Sequence, residues 1–320
     1  MRTLITTEGK QASTATDDVV ACFEESHHLG FWLDIEAPTD DDYRLLEGTF
    51  KFHPLTIEDI KHQNQRPKVD EYPDYNFVVL FQVLWENDQV HVLEHHLYVG
   101  PTFLVTVHQE HSPAIVSVHD RIAASPQLTK GQPAFLTYLI IDALVDSTFP
   151  ALEKLDDTVD QLEDDIVDTA TSQLLDRIYH LKHSVVELRR ILGGQRDVFQ
   201  ALITHGIHLQ QGDMTLYYRD VFDHIVRQYE TVDSLRDLLT SAMDVYLSTV
   251  SNRLNQTTKA LTVVASLFLP LSFLTGFYGM NFAYLTGVLE TPYLAFAVGI
   301  GTMLIATAIQ LWLFRRRGWI

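Results

Sequence analysis

The rhythm of hydrophobic positions changes along this chain, and the changes divide it. Apolar residues in the first third come in short continuous runs: Phe77 to Trp85, His96 to Val99, and Thr102 to Val107. Their β-branched and aromatic content, bounded by Asp74, Asn87-Asp88 and Gly100-Pro101, predicts strands. These runs are too continuously apolar for a sheet with one wet face, so helices are expected to cover it. From Pro133 to about Leu202 the period is helical, with breaks predicted at Thr169 to Ser172 and at Gly193-Gly194. In the first of these helices Leu152, Leu155, Val159, Leu162 and Ile166 form an apolar stripe. The other faces carry Asp156, Asp157, Asp160, Glu163, Asp164, Asp165 and Asp168. Such a face is either ordinary solvated surface or a means of concentrating cations.

Gly212-Asp213 reads as a helix start, with Asp213 as N-cap. No Gly or Pro follows until Pro270, so one very long helix is predicted. Tyr218, Val221, Ile225, Val232, Leu235, Leu239, Met243, Tyr246 and Val250 recur close to every 3.5 residues. That spacing suits a seam against identical helices, and hence a symmetric oligomer with an axial path. From Ala260 to Tyr278 nineteen residues carry no charge, enough to span a hydrocarbon core of roughly 30 Å. Pro270 lies within this run, and membrane helices accept such a proline when neighbours satisfy the freed carbonyl. A second uncharged run, Thr291 to Phe314, ends in Arg315-Arg316-Arg317. A pair of buried hairpin helices is the other way to place these runs. Their length and their basic flanks point instead to two membrane spans.

Charge sharpens the division. The net charge is −19, yet residues 251–320 hold five basic groups and one acidic, leaving 18 basic and 41 acidic groups before them. A surface that acidic repels phosphate, which excludes nucleic acid, and makes divalent cations the natural counter-species. Arg253 and Lys259 precede the first span and the Arg315 cluster follows the second, while residues 281–292 hold no basic group. The positive-inside rule then places both termini in the cytoplasm of a multi-pass protein of the inner (plasma) membrane. A single Cys22 rules out an internal disulfide framework and a cysteine-rich zinc site, and the N-terminus lacks the apolar region of a cleaved signal.

Directly after the first span the chain reads Tyr278-Gly279-Met280-Asn281-Phe282. A Gly-Met-Asn tripeptide at the outer end of the penultimate span, after a proline-containing helix, resembles the CorA family of divalent-cation channels. His53 to Asp59, Gln65-Arg66-Pro67-Lys68, Tyr218-Arg219-Asp220, Asp244 to Ser248 and the basic C-terminus are similar too. The resemblance implies an α+β cytoplasmic domain built as an α/β/α sandwich, a long helical stalk and two transmembrane helices in a homopentameric funnel. It divides the chain into an α/β domain (1–132), acidic cytoplasmic helices (133–212), stalk (213–257), pore-lining first span (258–280), external loop (281–292), second span (293–314) and basic cytoplasmic tail (315–320).

By the same resemblance Gly279, Met280 and Asn281 form the selectivity filter, and Mg²⁺ is both transported and regulatory. The chemistry agrees: Mg²⁺ keeps its waters, and a ring of neutral carboxamides can accept the hydrated ion. A helix C-cap is the plainer role for Asn281. Thr258, Leu261, Ala265, Leu269, Ser272 and Gly276 share one helical face, which the family places on the pore with Leu261 and Leu269 as an apolar gate. Lipid or helix packing is the other use of such a face. Glu58, Asp59 and Asp220 of a neighbouring subunit, with Asp142 adjacent, are implied to bind regulatory metal. Taken alone, Glu58 and Asp59 read as acids near a helix N-terminus and Asp220 as a solvated carboxylate.

The chain departs from many magnesium-transporting members after the motif, where Glu290 is the one carboxylate of the external loop. That leaves Mg²⁺, Co²⁺, Ni²⁺ and Zn²⁺ open, and the ZntB-type zinc branch is the near alternative. A membrane-anchored cation sensor that does not conduct is the alternative of another class. The fifteen histidines include His180/His183 and His205/His208 at i,i+3, but no zincin motif, Walker loop or dinucleotide fingerprint occurs. An enzyme is therefore not expected, nor an organic cofactor.

Overall fold

The computed structural model describes residues 1–6, 11–12, 19–21, 23, 30–125, 127, 133–168, 170–205, 214–280 and 291–319. They form two compact units, Met1–Met243 and Asp244–Ile320.

In the first unit the strands are β1 (Arg2–Thr6), β2 (Gln11–Ala12), β3 (Phe31–Glu36), β4 (Lys68–Glu71), β5 (Asn76–Glu86), β6 (Gln89–Val99) and β7 (Phe103–His108). They make one sheet in the order β2-β1-β3-β7-β6-β5-β4. The β3–β7 pair is parallel and the other pairs antiparallel. Asn87 and Asp88 both take positive φ and close the β5–β6 hairpin, the conformation two-residue turns favour. Along β5, Val78 and Leu80 enter one core while Phe77, Val79 and Phe81 enter the other. The continuous apolar run is thus a period-two strand buried on both faces.

Helices α1 (Asp40–Gly48) and α2 (Pro54–His62) cover one face through Leu45, Leu46, Ile57 and Ile60. Both open on local signals: Thr39 and Asp42 form a capping box, and Pro54 sits in the first turn of α2. The other face is covered by α3 (Pro113–Ala124), α4 (Pro133–Asp146), the end of α6 (Ser172–His205) and the start of α7 (Thr215–Tyr278). Helix α5 (Thr148–Asp168) follows α4 after a turn at Ser147. This is the α/β/α sandwich.

Three sequence expectations need correction or placement. Helix α6 runs through Gly193-Gly194 without a break. A Cβ at Gly194 would lie 3.0 Å from the Pro67 ring, so the glycine permits this close packing despite a helix penalty of about 1 kcal/mol. The apolar face of α7 is not left for identical helices over its first half: Tyr218, Val221, Ile225, Val232, Leu235 and Leu239 are buried within the single chain. The start expected at Gly212-Asp213 lies outside the described residues.

Among the described residues, three helical stretches are long and apolar enough to cross a membrane. In Ala134–Ile166, the apolar window is 56% buried, its Leu136, Leu139, Ile140, Leu144 and Val145 packed beneath the sheet. Its apolar surface is spent on the core. The windows in Thr215–Tyr278 and Phe296–Arg316 are not buried at all.

In the second unit, the end of α7 pairs with α8 (Pro292–Arg316). Lys259 Nζ donates to the Gly318 carbonyl at 2.9 Å, Gln310 Nε2 to the Ser266 carbonyl at 2.8 Å, and Thr302 Oγ1 to the Tyr278 hydroxyl at 3.3 Å. The half-buried residues Val263, Ser266, Leu267, Pro270, Leu271, Leu274 and Tyr278 follow the same face at helical spacing.

Candidate metal centre and pore helix

Within the first unit, helix geometry builds a carboxylate–imidazole cluster. Asp142 and Asp146 stand one turn apart on α4, and Asp220 and His224 one turn apart on α7. Tyr218, Val221 and Ile225 seat α7 against Leu144 and Val145 in one core, and Gln228 Nε2 donates to the Val145 carbonyl at 2.8 Å. The side-chain ligand atoms of Asp142, Asp146 and His224 consequently lie within 4.8 Å of one another. His224 Nδ1 is 2.7 Å from Asp146 Oδ1. Asp142 and Asp146 also line a groove of about 830 Å³ shared with Gln82, Arg121, Glu153 and Lys154.

The electrostatics mark this as a place short of positive charge. Burial pushes the Asp142 carboxyl up to about 6, with Asp146 the next largest cause; His224 pulls the other way and Asp220 adds a smaller push. Tyr138 is raised to about 12 by burial and then by Asp142 and Asp220. Two carboxylates and one imidazole are a fitting donor set for a divalent ion. Oxygen donors suit Mg²⁺, and the imidazole adds affinity for Co²⁺, Ni²⁺ or Zn²⁺.

Asp142 and Asp220 thus feel each other within one chain, as the effect of Asp220 on Asp142 shows. Glu58 and Asp59 do not join them there: Asp59 is ion-paired to Lys68 at 2.8 Å, and Glu58 faces His62 at 3.8 Å. Asp146 and His224 are the members that sequence reasoning missed. Their signal was present as the two i,i+4 pairs, 142/146 and 220/224. His180 and His183 lie exposed on α6, and His208 lies outside the described residues.

In the second unit, Thr258, Leu261, Ala265, Leu269, Ser272 and Gly276 are all exposed, Leu261 at 69% and Leu269 at 72%. They occupy the side of α7 away from the polar contacts to α8. Gly279 and Met280 follow the last turn, with Gly279 N–H donating to the Thr275 carbonyl at 3.0 Å. A Cβ on Gly279 would sit 3.1 Å from that carbonyl oxygen, so close approach rather than unusual φ selects glycine. Asn281 and Glu290 lie outside the described residues.

A sandwich of this topology, continued by a long helix and a C-terminal apolar helix with Gly-Met-Asn between them, defines a class of membrane metal transporters. The sequence model described as "CorA-like Mg2+ transporter protein" matches residues 30–316, and the chain belongs to that family. It is 33% identical over 294 residues to the cobalt/magnesium transport protein CorA of Thermotoga maritima, spanning 90% of this chain and 83% of that protein. A more distant relative is the zinc transport protein ZntB of Yersinia enterocolitica, 23% identical with 98% and 94% covered. The complete structure of the CorA magnesium transporter from Methanocaldococcus jannaschii superposes with a TM-score of 0.81 at 26% identity, covering 91% and 92% of the two chains.

Proposed function

We propose that this chain assembles as a homopentamer in the plasma membrane, with both termini cytoplasmic, and conducts Mg²⁺ inward through a pore lined by α7. The observation that carries this reading is the apolar window of α7, of mean hydropathy 1.9 and wholly unburied in the chain. Such a surface is stable only against lipid or against copies of itself. The exposed stripe from Thr258 to Ser272 faces the pore in this reading, with Leu261 and Leu269 as a constriction that opens by rewetting. Gly279, Met280 and Asn281 form the outer filter, and Glu290 lies in the external loop. The membrane potential drives the cation inward.

Regulation is assigned to cytoplasmic carboxylates. Asp142, Asp146 and His224 hold one divalent ion, and Glu58 and Asp59 meet Asp220 of a neighbouring subunit to hold another. Carboxylates brought together repel, so bound cation favours the closed assembly and its loss loosens it. Zinc transport is a second reading, favoured by the imidazole of His224 and by the single carboxylate, Glu290, in the external loop.

Purified full-length protein in sealed vesicles tests the reading, with influx followed by an entrapped metal-sensitive dye. The parent is expected to admit Mg²⁺, and Asn281→Ala to abolish most of that flux while keeping the oligomer. Parent vesicles no leakier than empty ones would refute conduction. Uptake of Zn²⁺ that needs a pH gradient would favour the second reading.

A further inference from the structure

Pro270 sits inside α7, eight residues before its end. A proline has no N–H, so the carbonyl four residues earlier, that of Ser266, loses its helical donor. In water a solvent molecule fills that role. In a membrane the unmet carbonyl has to find a donor on a neighbouring element. Gln310 of α8 is that neighbour, its Nε2 lying 2.8 Å from the Ser266 oxygen. The direction of the amide is fixed by chemistry, because the opposite orientation would set two oxygens against each other. Its Oε1 is buried with no hydrogen-bond partner among the described residues, so the bond from Nε2 to Ser266 is the hydrogen bond that offsets burial of this amide there. Among the described residues, the other polar ties of α7 to α8 and the turn after it, Lys259–Gly318 and Thr302–Tyr278, do not lie at a backbone defect.

We propose that Gln310 is a positioning residue for conduction. Its side-chain amide replaces the backbone donor that Pro270 lacks, and so fixes the local course of α7 where Leu269 faces away from α8. This rests on the reading above that α7 lines the pore and Leu269 belongs to its constriction. A helix freed at Ser266 can bend over a wider range, and the constriction then loses its set width.

A two-by-two comparison tests this: parent, Gln310→Leu, Pro270→Ala and the double variant, each reconstituted as full-length protein and assayed for Mg²⁺ influx and oligomer size. Gln310→Leu in the parent is expected to change flux by about three- to twentyfold, the population shift an interhelical membrane hydrogen bond of usual strength imposes. In the Pro270→Ala background residue 270 regains an N–H for Ser266, and Gln310→Leu should change flux less than twofold. Mere loss of packing at position 310 would be felt equally in both backgrounds. Equal effects with and without Pro270, or no effect in the parent, overturn the proposal. Gln310→Met, close in length and without a donor, repeats the comparison where the leucine variant fails to assemble. Assembly rescued by Pro270→Ala supports the proposal, and failure in both backgrounds overturns it. A parent that does not conduct refutes the pore reading instead, so the two failures are distinct.

Discussion

Replacing Asp142 by asparagine should stabilise this protein when metal is withheld and deprive it of stabilisation when metal is supplied. The carboxyl is raised from 3.8 to about 6, by burial first and Asp146 second. Each unit corresponds to about 1.4 kcal/mol, so a fully desolvated group would carry a penalty of about 3 kcal/mol. Asp142 is only half-buried, and screening reduces this to about 1–2 kcal/mol. The sign follows from proton counts. Between pH 3.8 and about 6 the folded state holds more protons than the unfolded one, so stability falls as pH rises through that window. The penalty is fully present at pH 7.5. There, in chelator, Asp142→Asn should raise the thermal midpoint of the full-length protein by roughly 2–6 °C, and the gain should shrink as pH is lowered from 6 toward 4.

With Mg²⁺ or Co²⁺ present the order should reverse, because the ion neutralises the pair in the parent and finds one carboxylate fewer in the variant. The metal-dependent rise of the parent should also fade below about pH 6, where a proton competes for Asp142. Thermal scans with chelator and with metal, at several pH values, check all of this. A lower midpoint for Asp142→Asn in chelator at pH 7.5, together with an undiminished metal-dependent rise, would refute both the strain and the site.

Other expectations do not turn on Asp142. A Thr286→Cys substitution should react with an impermeant thiol reagent added outside intact cells; protection there, with labelling at a Trp319→Cys position, would invert the topology. Asp59→Asn combined with Asp220→Asn should lose most of the protease resistance that Mg²⁺ gives the parent and should relieve inhibition by internal Mg²⁺. Equal protection of both proteins would remove those carboxylates from the sensor. Gly194→Val forces side-chain atoms onto the Pro67 ring and should cost about 1–3 kcal/mol, read as a lower thermal midpoint with unchanged metal dependence.

Much of the architecture could be read from local pattern, because strands, caps and spans are local phenomena. The run from Phe77 to Trp85 is recognisable as a doubly buried strand from composition alone, and the uncharged stretch before Gly279 from length alone. Gly193-Gly194 misled for a physical reason: a glycine's helical penalty is intrinsic, while its reward here comes from Pro67, more than a hundred residues away in sequence. The apolar repeat of α7 misled in the same way. A seam at 3.5-residue spacing states that a face will be buried and is silent about the partner, and over Tyr218 to Leu239 the partner is the chain itself.

The carboxylate–imidazole cluster of Asp142, Asp146 and His224 is assembled by packing that no local pattern encodes. Asp142 was found by resemblance, whereas Asp146 and His224 belong to no compact motif. Each is the i+4 neighbour of a residue already singled out, Asp142 on α4 and Asp220 on α7. A helix presents such pairs on one face, so a candidate ligand points to its i,i+4 neighbour: Asp142 and Asp146 both enter the cluster, whereas on α7 His224 enters it and Asp220 does not. What the pattern lacks is the packing of α4 on α7, set by Leu144, Val145, Val221 and Ile225 and by the Gln228–Val145 hydrogen bond. The geometry of the cluster thus depends on apolar residues that belong to none of its acids or its imidazole. Changing Gln228 to leucine should therefore displace His224 from Asp146 without altering any ligand.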